Sequence, residues 1–164
     1  MVLPGRDATE RYLARSERQI DIACDVDLGE LVKGHHVVVR GIELGGPIDR
    51  SGVVDGPERE PQLHYEFVPG LEDHEKDADR FFWYWMLAVS DDVGTRYRDD
   101  NSGVLAPSVG GAATHGTRDL GPPIPATASK LVIRFQPASR FDPPGHYRSE
   151  LVFDLLAGRV LEPS

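Results

Sequence analysis

The segment Phe81-Phe82-Trp83-Tyr84-Trp85-Met86-Leu87-Ala88-Val89-Ser90-Asp91-Asp92-Val93-Gly94-Thr95-Arg96-Tyr97 carries the strongest fold signal in the chain. Aromatic and β-branched residues fit a pleated, buried surface, whereas Asp and Gly accept turn conformations. The segment is therefore expected to form a strand, a tight Asp-Asp-x-Gly turn and a following strand. Gly94 is expected at positive φ in that turn. A strand of an antiparallel sandwich is usually apolar on one face and polar on the other. Here Phe81, Trp83, Trp85 and Leu87 are opposed by Phe82, Tyr84, Met86 and Ala88, so both faces call for cover. The expectation is a central strand whose outer face, carrying Phe82, Tyr84 and Met86, meets either another part of the chain or a second protein. Exposed aromatic residues are the types that anchor interfaces.

Outward from this segment the same period of two recurs. Ile20, Ile22, Cys24, Val26 and Leu28 alternate with Asp21, Ala23, Asp25 and Asp27. Gly34 offers a turn into His36–Leu44, where the inward set changes phase near Arg40-Gly41, as a β-bulge at the glycine would produce. Leu63, Tyr65 and Phe67 alternate with His64 and Glu66. Leu131, Ile133 and Phe135 share a face, and Glu150–Leu156 is the last strand candidate. Between them lie a Gly- and Pro-rich connection over 45–61, an acidic stretch over 71–80, a loop over 99–121 and a turn at 122–128. Seven or so short strands without a ten-residue amphipathic helix point to an all-β, two-sheet antiparallel sandwich. The division expected is a tail or short helix over 1–18, a β-sandwich domain over 19–157 and a C-terminal tail over 158–164. Its predicted core is Ile20, Ile22, Val26, Val37, Leu63, Tyr65, Phe67, Trp85, Leu87, Leu131, Ile133, Phe153 and Leu155.

Composition bounds the function. The 164 residues suffice for a single self-supporting core. A net charge of −9 opposes binding to a phosphate backbone, which requires clustered Lys and Arg, so nucleic acid is not an expected partner. No apolar run approaches the ~20 residues that span a bilayer, and residues 1–18 lack a leader-like apolar segment. A cytoplasmic setting without membrane contact is expected. Cys24 has no cysteine to pair with inside the chain and no basic neighbourhood to favour its thiolate.

The run Ile42-Glu43-Leu44, then Leu63-x-Tyr65-x-Phe67, then the Trp85 strand leading to Ser90-Asp91-Asp92-Val93-Gly94-Thr95-x-Tyr97, and finally Pro123-x-Pro125-x-x-Ala128 before Leu131, resembles a group of uncharacterised bacterial immunoglobulin-like β-sandwich proteins. The resemblance covers about residues 34–135. It implies an immunoglobulin-like sandwich with long loops and brings no catalytic residues.

Asp91, Asp92, Asp99, Asp100 and Asn101 place oxygen ligands suited to Ca²⁺ near one loop region. They fit no EF-hand: with Asp99 first, the sixth position is Val104 and the twelfth Gly110. Asp91 and Asp92 read more simply as turn formers bonded to nearby backbone amides, with Arg96 or Arg98 as counter-charges. His35 and His36 are adjacent, so in a strand they point to opposite faces. His64, His74, His115 and His146 read as scattered, and a zinc site from them requires convergence that spacing does not show. Glu43 and Glu66 could pair as glycosidase-like carboxylates, but more simply form the wet side of strands. There is no Gly-x-Ser-x-Gly elbow. The expectation is a non-enzymatic protein-interaction or structural module without cofactor, engaging a protein partner or self-associating. A Ca²⁺- or small-ligand-binding sandwich is the alternative, and a hydrolase-type enzyme the third.

Overall fold

A computed structural model describes residues 20–32, 34–45, 60–71, 85–97, 113–137 and 147–161, and the backbone of 103–105. Every regular element among them is a strand: β1 (Ile22–Asp27), β2 (His36–Glu43), β3 (Gln62–Val68), β4 (Met86–Asp91), β5 (Gly103–Leu105), β6 (Thr114–Asp119), β7 (Lys130–Gln136), β8 (Ser149–Asp154) and β9 (Arg159–Leu161). Five form one sheet in the order β1-β2-β3-β6-β5, and four form a second in the order β4-β7-β8-β9. All pairings are antiparallel. Setting aside β1 and β9, the orders β2-β3-β6-β5 and β4-β7-β8 reproduce the ABED and CFG sheets of a constant-type immunoglobulin domain, strand for strand in chain order. The fold is an immunoglobulin-like β-sandwich carrying one extra strand at each end. The short helix expected within 1–18 lies outside the described residues.

Alternation sends one set of side chains from each sheet inward. Val37, Val39, Ile42, Leu63, Tyr65 and Phe67 from the first meet Leu87, Leu131, Ile133, Phe135, Leu151 and Phe153 from the second, and all are buried. Val26 and Leu155 pack at the rim of this core, and Ile20 is half-buried. Trp85, fully buried, joins the layers: its ring lies 4.9 Å from Tyr65 of β3 and 5.6 Å from Phe135 of β7. In antibody domains a tryptophan at this place packs on a disulfide between the second and sixth strands of the fold. Here two aromatic rings from the corresponding strands take that place, and the one cysteine, Cys24, sits on β1.

Gly41 behaves as its phase switch suggests. The β2–β3 register shifts between Val39 and Gly41, whose φ is +153°. A Cβ there would stand 2.6 Å from the Ile22 carbonyl oxygen. Gly94 has φ +81°, as the turn requires.

Four expectations are corrected. The aromatic strand is not central: among the described residues β4 pairs with β7 alone and forms the edge of its sheet. Within β4 only Leu87 and Val89 follow Trp85 inward, while Met86 and Ala88 are half-buried and Ser90 is exposed, the one-sided pattern that an edge strand tolerates. Residues 81–84, including Phe82 and Tyr84, lie outside the described residues.

Thr95–Tyr97 do not resume a strand, because Asp91 gathers their donors locally. The presumed loop over 99–121 contains β5 and β6. The sequence Thr-His-Gly-Thr-Arg-Asp of β6 has no apolar alternation to betray it, since its inward positions are Thr114, Gly116 and Arg118. Gly116 stands opposite Tyr65, and the Arg118 guanidinium stacks 4.2 Å over Trp85 while donating to its carbonyl oxygen at 2.6 Å. The strand's inner face is thus built around aromatic rings supplied by others. Finally, Arg159–Leu161, assigned to a tail, form β9: Gly158 at φ +68° and the Asp154 carboxylate, which accepts from the Leu156 and Ala157 amides, close a hairpin with β8.

Candidate functional site

The outer face of the five-stranded sheet holds a polar cluster. Glu66 of β3 stands directly across from His115 of β6, and His64 of β3 across from Thr117. The bulge at Gly41 advances β2 so that Glu43 reaches His64, whose Nε2–H donates to Glu43 Oε2 at 3.4 Å. His115 Nδ1 is 4.0 Å from Glu66 Oε1, and the two imidazole rings are 5.7 Å apart. His64 is 1% exposed, His115 6% and Glu43 7%, although outward positions of a sandwich normally meet water. The neighbouring His115 imidazole, helped by the charge of Arg40, holds the Glu66 carboxyl below the usual range against the opposing effect of burial.

His64 and His115, which read as scattered, are therefore neighbours. Glu43 and Glu66 each face a different imidazole. Among the described residues no group of three or more His, Cys, Asp and Glu is disposed to hold a metal ion. The cluster is a buried cross-strand group in which His64 bonds Glu43 and the two imidazoles lie side by side, with His64 Nδ1 lacking a hydrogen-bond partner among the described residues. His35 and His36 do point apart: His35 is buried with Nδ1 2.6 Å from the Pro69 carbonyl oxygen, and exposed His36 pairs with Asp27 at 2.9 Å. His74 and His146 lie outside the described residues.

The acidic turn after β4 is committed to the fold. Asp91 Oδ1 accepts from the Val93 and Thr95 amides, each at 3.0 Å, and Oδ2 from the Tyr97 hydroxyl at 2.8 Å. Burial pushes the Asp91 carboxyl up, but these bonds outweigh it and hold the group at about 2. The Tyr97 hydroxyl is correspondingly raised by burial and by its bond to Asp91. Asp92 reaches across to the turn before β7, where its carboxylate bonds the Ser129 hydroxyl and accepts from the Ser129 and Lys130 amides. Both carboxylates therefore spend their oxygens on protein donors. Among the described residues the partners of Asp92 are Ser129 and Lys130, and Arg98 lies outside them. Asp99, Asp100 and Asn101 lie outside the described residues.

The outer face of the four-stranded sheet has the opposite character. Register aligns Ser90, Val132, Val152 and Leu161 in one row across all four strands. On one side runs a row of Ala88, Arg134 and Glu150, with Arg134 Nε donating to Glu150 Oε2 at 3.1 Å. On the other runs Lys130, Asp154 and Arg159. Met86, placed by sequence at an outer face, stands on this one. Val132, Val152, Leu161, Met86 and Ala88 are half-buried, while the Arg134 and Glu150 side chains are 57% and 49% exposed. Sequence reading passed over Val132 and Val152; the available signal was an aliphatic residue at a position whose neighbours already formed the inward set.

Among the described residues no helix is long and apolar enough to cross a membrane. The burial pushing the Cys24 thiol up to about 11, with Asp25 adding to it, makes it a poor nucleophile. The fold and these surfaces define the class, an immunoglobulin-like β-sandwich with one closed and one open outer face. No family model, curated protein or solved structure matches the chain.

Proposed function

We propose that this chain is a non-enzymatic interaction module that docks onto protein through the outer face of its four-stranded sheet. The observation that carries this reading is the row Val132, Val152 and Leu161, continued by Ala88 and Met86 and bordered by exposed charges. Solvent-accessible apolar positions rimmed by charge mark binding faces, because their burial releases water while the rim sets orientation. The titratable groups that might serve chemistry are instead engaged in turns, as Asp91 and Asp92 are, or closed within the His64 cluster. The net charge of −9 disfavours nucleic acid as the partner. A cytosolic setting fits the unpaired thiol Cys24, and kinship with bacterial immunoglobulin-like sandwich proteins fits the ABED/CFG order.

The test is site-specific photocrosslinking in the native cell. A photoreactive residue at Val152 should yield discrete protein adducts, and one at Asp25, exposed on β1, should not. Equal labelling at both positions, or none at Val152, rejects the reading.

A further inference from the structure

We propose that the occupant of this face is a second copy of the chain, related to the first by a two-fold axis that runs along the strands between β7 and β8; the proposal rests on the docking reading above. Along β7 the outward residues are Lys130, Val132 and Arg134, and beside them on β8 stand Asp154, Val152 and Glu150. A two-fold axis parallel to the strands lays β7 of one copy over β8 of the other and leaves the rows in place. Lys130 then faces Asp154 of the second copy, Val132 faces Val152, and Arg134 faces Glu150, with every contact made twice. Ser90 on β4 correspondingly lies over Leu161 on β9. An axis in the interface but perpendicular to the strands keeps each strand over its own copy and reverses the rows. Lys130 would then meet Arg134 and Asp154 would meet Glu150, four like-charge encounters. The charge pattern therefore selects one isologous arrangement and rejects the other.

The wider charge distribution points to the same face. A chain of net charge −9 repels its own copy over an average surface. This face sets Lys130, Arg134 and Arg159 against Glu150 and Asp154, so it escapes the acidic excess. Its central Val132–Val152 pair supplies the apolar contact, and the bordering pairs fix register. Existing cross-strand pairs such as Arg134–Glu150 preorganise the charges that the second copy meets.

Light scattering and sedimentation equilibrium on the purified full chain decide the matter. The unmodified protein should show twice the chain mass. Val152→Asp should give a monomer with unchanged circular dichroism. Arg134→Glu should weaken association roughly ten-fold, because two attractions become two repulsions, and the exchange Arg134→Glu with Glu150→Arg should restore it. A protein that stays monomeric up to roughly millimolar concentration overturns the second-copy proposal. So does a dimer indifferent to Val152→Asp and Arg134→Glu. A monomer that still forms discrete heterologous adducts at Val152 overturns this proposal alone and leaves the docking reading intact; loss of all Val152 adducts overturns the docking reading.

Discussion

The outer faces of the two sheets obey the same alternation and end in opposite states. On the five-stranded sheet the outward residues His64, His115, Glu43 and Thr117 are polar and buried, whereas on the four-stranded sheet Val132, Val152 and Leu161 are apolar and accessible. Each departs from the common rule, and these two departures are the informative ones: a buried polar group must be satisfied, and a half-buried apolar row on an outer face gains by being covered. The first face meets part of its demand within the chain, through the Glu43–His64 bond and the Glu66–His115 approach, while His64 Nδ1 has no hydrogen-bond partner among the described residues. The second leaves its demand open. The contrast separates a face buried within the fold from one that the docking proposal assigns to recognition.

The core between the faces sets the scale. Trp85→Ala removes the ring that Tyr65, Phe135 and Arg118 all contact, and should cost about 3–5 kcal/mol in denaturant unfolding. A loss near 1 kcal/mol would mean that the two layers do not depend on this contact.

Two glycines sharpen the comparison between sheets. Gly41→Ala combines an unfavourable φ with a clash against the Ile22 carbonyl at a bulge that positions Glu43, and should cost about 2–3 kcal/mol. Gly94→Ala also meets unfavourable φ, but a Cβ there finds open space, so about 1 kcal/mol is expected. Equal melting shifts for the two variants would dissociate the bulge from the stability of the five-stranded sheet.

The faces themselves are opposed by His64→Ala and Val152→Asp. The former opens a cavity beside Glu43 and should destabilise by about 2 kcal/mol without changing the assembly state. The latter should change stability by less than about 1 kcal/mol and act on association. Reversal of this order in melts and scattering breaks the assignment of roles.

The smallest effect concerns pH. The Asp91 carboxyl is depressed from 3.8 to about 2 on folding. A depressed carboxyl contributes stability that is fully present above its unfolded value and is lost as pH falls through the folded one. The window therefore runs from just above pH 4 down to about 2. Solvent screening at this accessible turn reduces the effect below the full linkage value. Asp91→Asn should flatten the fall in stability over that window relative to the parent, and parallel curves would remove Asp91 from the acid response.

Much of the sandwich was legible because strands buried on one side write their periodicity into the chain. Ile22, Leu63, Tyr65, Phe67, Leu131, Ile133 and Phe153 were named as core and are buried; the phase change at Gly41 announced its bulge; Asp91-Asp92-x-Gly94 announced its turn. These are local consequences of alternation and backbone sterics, which a linear sequence contains. Other features belong to no single segment. β6 carries no apolar alternation, because its Gly116 and Arg118 serve rings contributed by β3 and by Trp85. His64 and His115 lie 51 positions apart and meet only because β3 and β6 are neighbours in the sheet. Val132, Val152 and Leu161 become one row only through the register of three strands. Sequence alone determined which residues of the alternating strands turn inward and where the chain bends at Gly41 and Gly94. Tertiary structure alone decided which outward residues share a face and whether that face is closed or open, because those properties arise from pairings between distant segments that no local period encodes.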